Sequence, residues 1–226
     1  HRAIANKYFM PRQIEWVKRY AEEIVTEAIN KAMERNGEVL DLQEDVANLV
    51  PTAVISAYLG APREMWHRII EWANVISNAY DPTVYKDRSP EEMTQEATMQ
   101  MCQVHAATFA DRRKTPRDDF MTALVTAKVD GKPLTEVELY SWAILLTTAG
   151  HETTQSTFVM AVEALMKFPD QLAKLKSNLD LLPRAIDELL RYISPAIHFI
   201  RTPNRDVELH GKKIKAGEHL AMFYPS

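Results

Sequence analysis

Apolar positions recur every three to four residues along most of the chain. Ile14, Val17, Ala21, Ile24, Val25, Ala28 and Ala32 form one stripe, which predicts a helix over 11–35. The same spacing predicts helices at 42–59, 63–79, 90–112, 117–128, 135–167, 170–178 and 182–193. Pro51 lacks an N–H and predicts a kink in the second helix, and Gly60 predicts its C-cap. Ser89-Pro90-Glu91-Glu92 and Thr115-Pro116-Arg117-Asp118 each read as a cap followed by proline in the first turn. Thr135-Glu136-Val137-Glu138 reads as a capping box. The pattern changes at Ser194-Pro195. Short β-like runs follow, with His210-Gly211 and Ala216-Gly217 between them, and predict a small antiparallel sheet. The expected fold is mainly α, one partial domain over 1–226, helical over 1–193 and β-rich over 196–226.

Composition narrows the class. Hydrophobic residues make up 46% and charged residues 26%, which excludes a disordered tail or a fibrous repeat. Lys and Arg number 27 against 31 Asp and Glu, a net charge of −4, which argues against a nucleic-acid binder. The single cysteine, Cys102, excludes an internal disulfide and a Cys-rich zinc site, and fits a reducing, cytoplasmic setting. No run approaches the ~18 apolar residues that a membrane span needs. The chain starts at His1 and stops at Ser226 within the apolar run Leu220-Ala221-Met222-Phe223-Tyr224, and reads as an internal piece of a longer protein. The basic run Arg112-Arg113-Lys114 with Arg117 is flanked by Asp111, Asp118 and Asp119 and reads as a solvated loop.

The segment 135–167 is unusual for a helix. It would run about 50 Å at about 1.5 Å per residue. Its middle, Thr147-Thr148-Ala149-Gly150-His151-Glu152-Thr153-Thr154, packs four threonines and a glycine into positions that favour other residues in a helix. Thr hydroxyls can bond back to carbonyls four residues earlier. Gly150 removes a side chain, so a large flat molecule could approach the backbone. Glu152 and Thr153 place a carboxyl and a hydroxyl beside that gap, a pairing suited to proton delivery. A zinc-protease reading fails, because the second histidine of H-E-x-x-H would fall at Gln155. Further on, Glu188 and Arg191 share one helix face. Alone, they read as a surface ion pair.

Ala149-Gly150-His151-Glu152-Thr153-Thr154 resembles the oxygen-binding segment of the long central helix of cytochromes P-450. Glu188-Leu189-Leu190-Arg191 resembles the family's later E-x-x-R. The order and separation of these segments strengthen the resemblance, as do Arg201-Thr202-Pro203-Asn204-Arg205-Asp206 and Ile214-Lys215-Ala216-Gly217-Glu218 after them. Arg2, nine residues before Pro11, resembles the arginine of the family's H-x-x-x-R segment. The resemblance covers essentially all 226 residues and points to the middle of a soluble, bacterial-type member.

The resemblance implies haem b as cofactor. It implies that Glu152 and Thr153 relay protons to the oxygen site, and that Ala149 and Gly150 leave room for oxygen over the haem. Arg2 and Arg201 would bind the haem propionates. Glu188 and Arg191 would hold the haem-side core together. Leu145, Leu146, Ile197, His198 and Phe199, with Ile200 beside them, would border an apolar substrate pocket. The family needs a cysteine thiolate on the iron. Cys102 lies upstream of the central helix with no Gly-rich loop, so the axial ligand is expected beyond Ser226 and this stretch alone is expected to be inactive.

The implied activity is a monooxygenase that inserts one atom of dioxygen into an apolar organic substrate. Electrons would come from NAD(P)H through a ferredoxin and a ferredoxin reductase. A non-enzymatic helical ligand-binding or regulatory domain is the alternative, and it predicts no haem uptake. A Mg²⁺-dependent isoprenoid-type enzyme would need Asp-rich clusters on facing helices. Asp118-Asp119 is a lone pair at a helix start, where Asp is expected in any case.

Overall fold

A computed structural model of the chain describes residues 2–35, 39–79, 81–85 and 88–224. The chain forms two compact units, His1–Gln155 and Ser156–Ser226.

The first unit is built from helices in chain order. After α1 (Arg2–Asn6) and α2 (Pro11–Met33) comes a π-helical turn at Gln43–Ala47, leading into α3 (Leu49–Leu59). Then come α4 (Trp66–Ser77), α5 (Pro82–Tyr85), α6 (Pro90–Lys114) and α7 (Phe120–Thr126). A small hairpin, β1 (Lys128–Val129) with β2 (Lys132–Pro133), precedes α8 (Glu136–Lys167). At 32 residues, α8 is the longest helix among the described residues, as its apolar flanks predict.

Local chemistry explains most of these boundaries. Ser89 caps α6 by accepting from Glu92 N at 3.3 Å, with Pro90 in the first turn. The capping box before α8 is reciprocal: Glu138 N donates to Thr135 Oγ1 at 3.3 Å, and Thr135 N donates to Glu138 Oε2 at 2.8 Å. Gly60 ends α3 in the left-handed region, at φ 68°.

Four local expectations need correction. Pro51 does not kink a continuous helix. The irregularity moves upstream into the π-helical turn, where Asn48 N bonds Gln43 O at 2.9 Å, five residues back. The helix expected from residue 117 begins at Phe120, because Asp119 wins the capping role by accepting from Thr122 N at 2.8 Å. The hairpin was not anticipated, although Asp130-Gly131, at φ 51° and 79°, is the residue pair that a two-residue turn favours. Arg112 is not solvated. It is buried, bonds Asp119 Oδ2 through Nε at 2.5 Å and pairs with Asp111.

The main core of this unit joins Leu59, Phe109, Phe120, Met121, Leu124, Leu134, Leu139 and Ala143. Trp142 meets Phe120 edge-on, and Tyr58 stacks on it with ring centres 5.7 Å apart. A second cluster holds α2 against α3 and α4 through Ile24, Ala53 and Trp66.

In the second unit, α9 (Pro169–Ser177) and α10 (Leu182–Ile193) follow the last turns of α8. Ser194 closes α10 in the left-handed region, at φ 46°. The sheet expected over 196–226 is two separate antiparallel pairs. One joins β3 (His198–Arg201) to β6 (Leu220–Phe223), with His198 opposite Phe223 and Arg201 opposite Leu220. The other is the hairpin β4 (Val207–Leu209) and β5 (Lys212–Ile214), turned by His210-Gly211 at φ 47° and 74°. Among the described residues, no helix is long and apolar enough to cross a membrane.

Candidate active site

The middle of α8 is helical throughout, and three of its four threonines bond back to the helix. Thr147, Thr148 and Thr153 each donate a hydroxyl hydrogen to the carbonyl four residues back, at 2.8, 2.9 and 2.8 Å. Each hydroxyl oxygen keeps lone pairs with which to accept.

At about 100° per residue, Leu145, Ala149, Glu152 and Thr153 fall on one side of α8. Leu145, Ala149 and Thr153 are exposed there, and Glu152 is half-buried. The two expected catalytic groups therefore stand on one open face, with the small Ala149 beside them and Leu145 further along. Leu146 parts company with Leu145 and is half-buried against the core cluster. Gly150 turns towards α3. A β-carbon added there would stand 3.2 Å from Ile55 Cγ1 and Cδ1.

His151 faces the reverse side of the helix. It is buried, and its Nδ1 lies 3.5 Å from Thr52 Oγ1. Burial pushes its pKa down, opposed by the nearby Glu152 charge. On α6, His105 is buried with Nε2 3.4 Å from Thr147 Oγ1, and burial pushes its pKa down to about 4. Sequence reasoning passed over this polar side. Its signal was available as Asn48, Thr52 and Ser56 at four-residue spacing in an otherwise apolar helix.

The remaining candidates lie elsewhere in the chain. Arg2 opens α1, but its side chain lies outside the described residues. Arg201 closes β3. It is exposed, and its Nη1 donates to Ile200 O at 3.0 Å. Ile197, His198 and Phe199 are exposed, with the His198 ring near Phe223 and the Phe199 ring edge-on to Tyr224.

Glu188 and Arg191 form the expected pair on α10. Arg191 Nε reaches Glu188 Oε2 at 2.7 Å, and Nη2 reaches Oε1 at 2.6 Å. The Arg191 hydrogen bond holds the Glu188 carboxyl below its usual range. Both side chains are well exposed, 62% for Glu188 and 70% for Arg191, so solvent screens the pair. They edge a groove of about 970 Å³ in the second unit, lined among others by Leu165, Phe168, Leu175 and Tyr192. None of the expected substrate-pocket residues lines that groove, so it is not the pocket the sequence pointed to.

The fit to a haem is one-sided. The open face of α8 suits the oxygen side of such a group, with a carboxyl, a hydroxyl and a small residue together. Ligation of the iron does not fit. Cys102 is half-buried on α6, and burial raises its thiol pKa, whereas a ligand must be a thiolate. Among the described residues, no group of three or more His, Cys, Asp or Glu could hold a metal ion.

Comparison with known proteins identifies the family. A methyl-branched lipid omega-hydroxylase of Mycobacterium tuberculosis is 31% identical over 100% of this chain and 52% of its own length. A steroid C26-monooxygenase of Rhodococcus jostii is 30% identical over 100% of this chain and 46% of its own. The chain thus spans about half the length of the curated relatives it matches. A solved structure of a Mycobacterium marinum cytochrome P-450 in complex with pseudoionone superposes with a TM-score of 0.88 at 34% identity, covering 99% of this chain and 54% of that one. The Cytochrome P-450 family profile matches residues 1–226. With Glu152 and Thr153 together on the central helix and the match running from end to end, this chain belongs to the cytochrome P-450 family.

Proposed function

We propose that these residues form the oxygen-side part of a haem-thiolate monooxygenase that hydroxylates an apolar organic substrate. In this reading the axial cysteine comes from outside residues 1–226, because Cys102 does not fit the role, and residues 1–226 alone are inactive. Bound haem b would supply the centre at which dioxygen is activated and one of its atoms passed to substrate.

The chain's own residues do the rest. Arg2 and Arg201 would hold the haem propionates through guanidinium–carboxylate pairs, as the resemblance implies. Ala149 leaves space on the open face, while bare Gly150 lets α8 settle against Ile55. The Glu152 carboxylate, half-buried at the edge of that face, takes protons from solvent. Thr153 Oγ1, which bonds Ala149 O, rotates to hold the next hydrogen bond of the relay. Leu145, Ile197 and Phe199 offer apolar surface to substrate.

Relatives named for methyl-branched lipids and steroids support a substrate of that apolar class, such as a sterol, terpenoid or alkyl chain. Electrons would pass from NAD(P)H through a ferredoxin reductase and a ferredoxin in the cytoplasm. The juxtaposition of Glu152 and Thr153 on the open face of α8 carries this reading. It is tested on the polypeptide extended to the length of its relatives, by its haem content and by product formed per NAD(P)H oxidised. Absence of haem uptake would overturn it.

A further inference from the structure

The side of α8 opposite Glu152 and Thr153 is polar where packing alone calls for Leu or Val. Ala143, Thr147, His151 and Gln155 follow one another at four-residue spacing, and all are buried. Across from them, Asn48, Thr52 and Ser56 repeat that spacing into and along α3, and His105 joins from α6. Asn48, Thr52, Ser56, His105, Thr147 and His151 are each no more than 2% exposed.

Hydrogen-bond bookkeeping sets the tautomers. Thr52 Oγ1 donates to Asn48 O at 2.8 Å, and Thr147 Oγ1 donates to Ala143 O at 2.8 Å. These bonds are far shorter than the contacts to the imidazoles, at 3.5 and 3.4 Å, so they keep the hydroxyl hydrogens. Each threonine oxygen can then only accept from its histidine. His151 must carry its hydrogen on Nδ1 and His105 on Nε2.

The opposite nitrogens, His151 Nε2 and His105 Nδ1, are left as bare acceptors. Both are buried without a protein partner, as are Asn48 Nδ2, Asn48 Oδ1 and Ser56 Oγ. Five such unpaired groups together would rival the net stability of a whole domain. The set mixes acceptors with donors, and only a small ligand that both donates and accepts satisfies it. Water does so, typically with about three hydrogen bonds per buried molecule.

We infer that Asn48, Ser56, His105 and His151 form a binding site for ordered water between α3, α6 and α8, which pins the Glu152–Thr153 segment from behind. His151 is thus a positioning residue. It touches no substrate and acts by fixing the turn of helix that presents its neighbours. The inference rests on the proposed function only for what that open face does. Its test reads water and hydrogen positions without turnover, so either can fail alone.

The test uses the full polypeptide extended to the length of its relatives. Nitrogen NMR of histidine-labelled protein should show His151 as the Nδ1–H tautomer and His105 as the Nε2–H tautomer. A high-resolution crystal structure should show water within hydrogen-bonding distance of His151 Nε2 and His105 Nδ1. His151→Leu should raise amide exchange at residues 152–154 by at least about tenfold, and His151→Gln, which keeps a donor and an acceptor, should restore most of the protection. If His151→Leu does not fold, Ser56→Ala is read for loss of the water nearest its Oγ. Opposite tautomers, a dry seam, or unchanged exchange in His151→Leu would each overturn the inference.

Discussion

Gly150 packs against Ile55 so closely that a side chain at Gly150 would force the Ile55 side chain to shift. A β-carbon at Gly150 would lie 3.2 Å from Ile55, tighter than ordinary contact. Alanine is worth about 1 kcal/mol over glycine inside a helix, but overpacking costs about 1–3 kcal/mol. Gly150→Ala should therefore lower stability by about 1 kcal/mol. In an Ile55→Ala background the same change should raise stability by about as much. A urea-unfolding double-mutant cycle measures the coupling, and additive effects would show that the two residues do not share that space.

Thr153 and Glu152 should separate in kinetics on the extended, haem-loaded polypeptide. Thr153→Ala removes a hydroxyl but leaves the carboxyl, so cofactor consumption should continue while much of the flux ends as hydrogen peroxide. If Glu152 supplies the protons as proposed, Glu152→Ala should slow the whole cycle by about 10²–10⁴-fold. Product and peroxide are counted against NAD(P)H oxidised. Wild-type coupling in Thr153→Ala would remove Thr153 from the relay.

His105 makes stability depend on pH. Burial lowers its folded pKa to about 4, against an ordinary value of 6.5. The unfolded chain then binds more protons between those values, so stability rises with pH across the window. The contribution is fully present above about 6.5, lost progressively as pH falls to about 4, and worth about 3 kcal/mol in all. His151, lowered by burial as well, adds in the same direction. Urea midpoints between pH 7 and 5 should fall in the wild type and fall less in His105→Phe. An equal slope in both would show that His105 is not the group responsible.

The Glu188–Arg191 pair should behave differently in two lengths of chain. In residues 1–226 both partners are exposed, and Arg191→Ala should leave the unfolding midpoint unmoved. In the polypeptide extended to its relatives' length, the family reading makes the pair structural, and the same change should abolish haem incorporation. Haem content and thermal melting of both lengths decide it. Full haem content in the longer variant would leave the pair a surface contact.

Much of this was legible in the chain because it depends on neighbours in sequence. The span of α10 at 182–193, the capping box at Thr135 and Glu138, and the long α8 all follow from local spacing and caps. Asp130-Gly131 was equally local, yet its flanking strands are two residues each and too short to show an alternating pattern. The start of α7 turned on competition between Thr115 and Asp119, settled by a buried arginine whose partners lie up to seven residues away. Gly150 shows the limit most clearly. Its lack of a side chain could be read from sequence, but that Ile55, distant in the chain, occupies the space could not. The water seam was hidden for the same reason, since no single helix reveals which of its buried polar atoms finds a partner.

The π-helical turn at Gln43–Ala47 has a consequence for how this stretch tolerates change. It holds one residue more than an α-helical path needs, and that residue offsets the screw of the chain before Asn48 from the screw of α3 after it. Because of the offset, Val46 and Ala47 are buried together with Asn48, Thr52 and Ser56. Removing any one residue of the turn would rotate one set out of phase with the other by about 100°. The segment therefore counts residues more strictly than it selects their kinds: substitutions at its exposed positions should be absorbed, whereas a one-residue deletion should not.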